Sequence, residues 1–359
     1  MRRPTVRGRD DRAHTPFPVG ERRERTPSGG ETMKAVVTGG AGFIGSHLCD
    51  HLIARGHQVT VLDDLSTGSL ANLVQAQGSP GFRFVEGDVL DRELVDSLVA
   101  PADAVFHLAA AVGVYNIVDN PLRSLRINLH GTENVVEAAV AHRVPYMVAS
   151  TSEVYGKNDA DGLKEGDDRV YGPATKSRWS YAAAKGLDEL VAYVHGVESG
   201  VPCVITRFFN VVGPRQTGRY GMVVPRFVDQ ALADEPITVY GTGTQRRCFG
   251  SVFDVVPALL RLMDTPEAYN QAVNLGGHEE VSIKGLADRV VELAGSRSAI
   301  TYVDYEEAYG EGYEDMQRRY PDTSLAARLI GYRPERDLND IIRSIMEHRR
   351  AVGSVPQPA

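Results

Sequence analysis

Cysteine is scarce in this chain. It has three in all, Cys49, Cys203 and Cys248. Their odd number and irregular spacing exclude a disulfide framework and a zinc motif, and they fit a reducing compartment, so a cytoplasmic location is expected. Long apolar runs are missing too. None approaches the ~20 residues of a membrane-spanning helix, and no membrane partner is expected. Excess positive charge is lacking: the net charge is −8, which argues against a nucleic-acid partner. The ten histidines do not cluster with Cys or Asp at ligand spacing, so no metal site is expected. Residues 1–32 lack apolar periodicity and are rich in Arg, Pro and Gly. They read as a disordered tail, or as an over-long start before Met33. They lack an apolar core segment and carry acidic residues, so neither a secretory signal nor a transit peptide is expected.

What is present begins at Met33, in "MKAVVTGGAGFIGSHLCDHLIARGHQVTVLDDL". Ala35 to Thr38 is apolar and β-branched, as a buried strand requires. Gly39, Gly42 and Gly45 follow, then a helical pattern from Phe43 to Ala54, then a second strand ending at Asp63. Glycines between strand and helix, with an acid about 20 residues on, give the context of a dinucleotide site. Small residues let the backbone approach a pyrophosphate at the helix N-terminus. Asp63 is the expected ligand of the adenosine ribose hydroxyls, with Asp64 able to share the role. An acid there repels a 2′-phosphate and favours NAD. Further strands are expected at Phe82–Val85, Ala104–Leu108 and Pro145–Ala149, with a helix over 122–141. Asp88 and Val89 are placed to flank the adenine. His107 reads as a packed strand-end histidine. The expected fold is an α/β Rossmann, doubly wound parallel sheet with a smaller C-terminal α/β substrate-binding domain. Residues 33–206 form the NAD-binding part and 207–348 mainly the substrate part, partly interleaved with it. Residues 349–359 form a tail.

"WSYAAAK" places Tyr181 and Lys185 at i, i+4 on one helical face. An ammonium beside a phenol lowers its pKa, and the cationic nicotinamide adds to this. Such a tyrosine can take a proton from a sugar hydroxyl while hydride leaves the same carbon.

With these motifs together, the chain resembles the extended short-chain dehydrogenase/reductases of the nucleotide-sugar epimerase, dehydratase and decarboxylase group. The likeness runs from about Met33 to about His348, through "VTGGAGFIGSHL", "HLAA", "STSEVYG", "YAAAK", "RFFNVVGPR", "VVPRF", "GTGTQRRCF" and "NLGG". It implies that Phe43 and Ile44, between the glycines, and Leu108, Ala109 and Ala110 of "HLAA" line the cofactor. Asn128 matches an asparagine that shapes the active-site helix. Thr151 or Ser152 hydrogen-bonds the reacting hydroxyl. Asn210 and Arg247 match groups on the substrate diphosphate and ribose, with Arg246 the alternative to Arg247. Val224, Pro225 and Phe227 match a nucleobase wall. Ser251 stands where relatives have an aromatic residue. By the same resemblance a homodimer pairs the helices at 122–141 and 180–198.

Glu153, a carboxylate at the end of a buried strand, needs a partner or a job. "EVYGK", "GPATKSRWSYAAAK" and "YGEGYEDMQRRYPD" resemble the UDP-apiose/UDP-xylose synthases and the UDP-glucuronate decarboxylase of the lipid A aminoarabinose pathway. That likeness puts Glu153 and Arg319 beside the sugar's C4–C6 edge. "GPRQTGRYGMVVPRF" instead resembles bacterial UDP-sugar 4-epimerases, with Arg219, or secondly Arg215, meeting a uronate carboxylate. Alternatively, Glu153 is a structural acceptor for Lys157, Lys176 or Arg178. The expectation is an NAD-dependent UDP-sugar 4-epimerase with a transient 4-keto intermediate, UDP-glucuronate being favoured over UDP-glucose. UDP-glucuronate decarboxylation comes second and 4,6-dehydration third. An NAD-sensing binding module without turnover is the non-enzyme alternative; its usual mark, a lost Tyr or Lys, is absent.

Overall fold

A computed structural model describes residues 32–111, 121–176, 179–218, 222–309 and 316–353. The elements run in this order: β1 (Lys34–Thr38), α1 (Phe43–Ala54), β2 (Gln58–Asp63), α2 (Val74–Gln77), β3 (Phe82–Glu86), α3 (Arg92–Val99), β4 (Ala104–His107), α4 (Pro121–Ala141), β5 (Tyr146–Thr151), α5 (Ser180–Ser199), β6 (Cys203–Phe209) and β7 (Val211–Val212). Then come α6 (Val223–Leu232), β8 (Ile237–Tyr240), β9 (Arg246–Cys248), β10 (Gly250–Ser251), α7 (Val252–Met263), β11 (Gln271–Gly276), β12 (Glu280–Ser282), α8 (Ile283–Ala294), β13 (Ile300–Val303), α9 (Tyr305–Tyr309), β14 (Arg318–Arg319), α10 (Ser324–Ile330) and α11 (Leu338–Val352).

The main sheet has seven strands in the order β11-β6-β5-β4-β1-β2-β3, and each neighbouring pair is parallel. Parallel strands are buried on both faces, so they read as unbroken apolar runs. Val36, Val37, Val61, Val105 and Phe106 show why: all are buried. The strand order reverses between β1 and β4, the place where such sheets take ligands beyond their carboxyl ends. The last strand, β11, comes from far along the chain and ties the second lobe to the sheet.

Two apolar cores cover the faces of this sheet. One includes Leu48, Leu52, Leu259 and Leu262 from α1 and α7; the other includes Val135, Val136 and Ala192 from α4 and α5. A third core, with Phe227, Val239, Leu286 and Ile342, holds the smaller lobe. That lobe carries short pairs rather than one sheet: β7 with β10, β8 with β13, and β12-β9-β14. Register within the last set matters most. Arg319 sits beside Arg247 across β14 and β9, so two cations enter the cleft from adjacent strands.

His107 ends β4 fully buried, between the Thr38 hydroxyl at 2.7 Å and the Thr132 hydroxyl at 3.1 Å. Burial first, and the Lys185 charge second, lower its pKa from 6.5 to about 3. Between those values the unfolded chain binds one more proton than the folded one. Stability therefore falls as pH drops, by ~1.4 kcal/mol per pH unit from this group. In urea unfolding, His107→Asn is expected to lose less stability between pH 7 and pH 5 than the parent does. Equal losses would contradict this assignment.

Candidate active site

The first turn of α1 is built for an anion. Its N-cap, Gly42, offers no side-chain bond, and no acid lies in the first turn. The N–H groups there stay available. Gly39 has φ +70°, and a Cβ on Gly45 would lie 2.2 Å from the Gly39 carbonyl oxygen. The loop therefore takes only glycine at these points and keeps its backbone bare toward the cleft.

Asp63 closes the loop from β2. Its carboxylate accepts from the Ala41 and Leu65 N–H groups, both at 2.9 Å. Burial raises its pKa, and those two bonds work against the rise. A carboxylate has about four acceptor sites, so ribose hydroxyls can still be held. Asp64 is exposed and turns back to accept from the Ser66 N–H and hydroxyl. Of the two, Asp63 is the one built into the loop.

A cavity of about 1720 Å³ runs from this loop across the strand ends into the smaller lobe. Single small-molecule sites span roughly 300–1000 Å³, so the cleft has room for a dinucleotide and a second ligand together. Gly39, Gly42, Phe43, Ile44, Gly45, Asp88, Val89, Leu108, Ala109 and Ala110 line its cofactor end. The residues present thus fit NAD. Asn128 is not among the lining groups. It is buried, and its side-chain oxygen accepts from the Ala111 N–H at 2.8 Å, so it braces the chain after β4.

Thr151, Ser152, Glu153, Tyr181 and Lys185 meet where β5 and α5 face the cleft. The Thr151 hydroxyl accepts from the Glu153 N–H at 3.2 Å, fixing the short turn that follows β5. Arg319 of β14 donates to Glu153 at 2.6 Å and to the Ser152 hydroxyl at 3.3 Å. This ion pair is largely buried, with side-chain exposures of 7% and 16%. Glu153 therefore has a partner across the cleft in Arg319. Lys157 lies over the Trp179 ring. Arg178 lies outside the described residues.

Tyr181 departs from expectation. Its pKa is raised, by burial first, then by the charges of Glu153 and Asp188, with Arg319 opposing. Lys185 donates to Asp188 at 2.7 Å, and both side chains are buried. Sequence reasoning missed Asp188. Its position three residues after Lys185, on the same helical face, was the available signal.

At the other end, Asn210, Val224, Arg247 and Arg319 line the cavity. The Asn210 amide donates to the Cys248 carbonyl at 2.9 Å. Arg247 is buried, whereas Arg246 is half exposed and paired with Glu280. Pro225 and Phe227 are corrections: neither lines the cleft. Both are buried in α6, and Phe227 belongs to the third core. The helical period turns Val223, Arg226 and Gln230 to the cleft instead. Arg226, also missed, stacks 3.9 Å over the Tyr240 ring. Arg215 reaches the wall of the cleft; its Nη2 pairs with Asp50 of α1 at 2.6 Å, and its Nη1 makes no hydrogen bond among the described residues. Arg219 lies outside the described residues. Ser251, in the position of an aromatic, caps α7 by accepting from the Phe253 N–H. Among the described residues no cluster could hold a metal, and no helix is long and apolar enough to cross a membrane.

Residues 35–276 match the NAD dependent epimerase/dehydratase family. The chain belongs to that family. It is an NAD-dependent enzyme of nucleotide-sugar chemistry, an epimerase or a decarboxylase. It is 37% identical over 302 residues to the UDP-N-acetyl-alpha-D-glucosaminuronate decarboxylase of Bacillus cytotoxicus, covering 84% of this chain and 92% of that one. It is 36% identical over 338 residues to UDP-glucuronic acid decarboxylase 1 of Xenopus tropicalis, covering 91% and 76%. Its fold matches the UDP-glucuronic acid 4-epimerase of Bacillus cereus, solved with UDP-glucuronic acid and NAD. There the TM-score is 0.79 at 26% identity, with 89% of this chain and 100% of that chain covered. The Tyr181–Lys185 face of α5 and the Gly39–Gly45 loop line the same cavity.

Proposed function

We propose that the protein decarboxylates a UDP-linked uronate, UDP-glucuronate or its 2-acetamido counterpart, through a 4-keto intermediate. This reverses the preference for 4-epimerisation read from "QTGRYGMVVPRF". The observation that carries it is the Glu153–Arg319 pair beside Ser152 on the cleft wall. A buried ion pair contributes little net stability, so a role in the chemistry accounts for it better than a role in folding. The sequence likeness to two enzymes named as uronate decarboxylases supports the same reading.

NAD, when bound, supplies the acceptor for the C4 hydride and later its return. Tyr181 takes the O4 proton, and Thr151 or Ser152 holds the reacting hydroxyl. The resulting ketone makes the uronate a β-keto acid. Arg319 anchors the C6 carboxylate, while Glu153 cancels part of that hold and repels the anion. Both effects favour departure of neutral carbon dioxide, whose bonding pair passes into the C4 carbonyl as an enolate. C5 then takes a proton, and C4 is reduced as Tyr181 returns its proton to O4. Arg247 and Asn210 hold the diphosphate and ribose, with Arg226 as a further cation on that wall. Mass spectrometry of products from UDP-glucuronate and its 2-acetamido counterpart tests this. Loss of carbon dioxide from either supports the proposal; an unchanged mass with a new retention time would replace it with 4-epimerisation. That second reading is supported by the fold match to a uronate 4-epimerase.

We also propose a homodimer. Leu187, Leu190, Val194 and Val197 form an exposed apolar stripe on α5 at spacings of three and four, with Tyr193 beside it. A stripe of this size marks an interaction surface, and a second copy of α4 and α5 matches it. Leu190→Asp is expected to turn a dimer into a monomer in sedimentation. A wild-type monomer at micromolar concentration would sink the proposal.

A further inference from the structure

Lys185 and Asp188 form an ion pair that the proposed reaction leaves unexplained. The Lys185 side chain is 3% exposed and that of Asp188 is fully buried, with 2.7 Å between Nζ and Oδ2. Lys185 lines the cleft; Asp188 lies behind it. The second Asp188 oxygen makes no hydrogen bond among the described residues. Tyr181, Lys185 and Asp188 occupy positions i, i+4 and i+7 of α5, one face of one helix. Asp188 thus faces the Lys185 ammonium, with the Thr132 side chain of α4 as a further group that favours its charged form.

We propose that Asp188 is a positioning residue: by compensating the Lys185 charge it sets the pH at which Tyr181 ionises. The groups facing Tyr181 are Glu153 on the turn after β5, Arg319 on β14, and Lys185 and Asp188 on α5. The groups around the pair are His107 on β4 and Glu189 on α5. His107 is neutral above about pH 3, so it brings no charge in the working range. Glu189 is engaged by Arg207 through two bonds and by Arg169. Arg319 is matched by Glu153. That leaves Lys185 as the cation whose effect on Tyr181 depends on a single neighbour. With Asp188 in place the pair is close to neutral seen from the phenol. Without it, a full positive charge sits one helical turn away and favours the phenolate. The inference rests on Tyr181 being the base, as proposed above.

The test reads ionisation without needing turnover. The ultraviolet absorbance of tyrosinate in the NAD-loaded enzyme is titrated against pH, with Tyr181→Phe in the same background as the blank. Asp188→Asn is expected to move the Tyr181 midpoint down by about one pH unit, a tenfold change in its ionisation constant. In a Lys185→Met background the same substitution should move it by less than half as much, because burial favours the neutral Asp188 carboxyl once the ammonium that opposes this is gone. Asp188→Ser serves if Asp188→Asn does not fold. A midpoint that stays or rises overturns the proposal. An equal shift in both backgrounds also overturns it, because Asp188 would then keep its charge without Lys185 and the two would not work as a pair. Should neither decarboxylation nor epimerisation be found, the titration still stands or falls by itself.

Discussion

Tyr181→Phe is expected to lower kcat by about 10³-fold while leaving KM within a few-fold of the parent, the range typical for loss of a general base. The substitution removes one oxygen from a site enclosed by Glu153, Arg319 and the α5 face. The ring remains, so packing changes little. The pH dependence should show the same group. Burial and two nearby carboxylates hold the phenol above its ordinary range in the free chain. The rate should therefore rise with pH on the alkaline side of neutrality and flatten only where Tyr181 ionises in the loaded enzyme. Steady-state kinetics across pH check both points. A Phe variant with more than a tenth of parental kcat would remove Tyr181 from the chemistry.

Glu153→Gln is expected to cut carbon dioxide release by about 10²-fold or more, in line with losses seen when one preorganised charge is removed. C4 oxidation should be spared, because Tyr181 and Lys185 are untouched. The variant should then release 4-keto sugar or the C4 epimer in place of the decarboxylated product. Glutamine keeps the shape and accepts one bond from Arg319, but the Arg319 charge is left uncompensated and grips a C6 carboxylate more firmly. Carbon dioxide trapping together with chromatography of the nucleotide sugars separates these outcomes. Unchanged decarboxylation in Glu153→Gln would leave the ion pair as a strut between β14 and the turn after β5, and the uronate argument would lose its support.

The positions of the first five strands, the glycine loop and Asp63 were readable because parallel strands and phosphate loops leave local marks: apolar runs, glycines at fixed spacing, an acid at a strand end. Tyr181 and Lys185 were readable because helical period alone joins them. Likeness placed Arg319 and Glu153 beside the same sugar edge but not as an ion pair, since nothing local in 150–157 points to residue 319; β9 and β14 must pair before the two meet. Phe227 and Pro225 misled for the opposite reason. A short amphipathic helix has two faces, and "VVPRF" alone does not say which turns to the cleft; Arg226 took that place. Arg215 reaches the cleft wall with a charge suited to a uronate, and nothing local to it in the sequence shows that Asp50 on α1 holds one of its nitrogens. Asp188 was overlooked because an acid near a helical lysine is ordinary on a surface. Only burial makes it informative.

The central claim is that the sugar is oxidised and re-reduced at the same carbon, and loses C6 between the two events. The most direct measurement is mass and NMR analysis of the product from uronate substrate deuterated at C4, with turnover in ordinary water. The account predicts a product that lacks C6, keeps deuterium at C4 and carries solvent hydrogen at C5. A product that has exchanged its C4 deuterium for solvent hydrogen would contradict it, as would loss of C6 in a variant unable to oxidise C4.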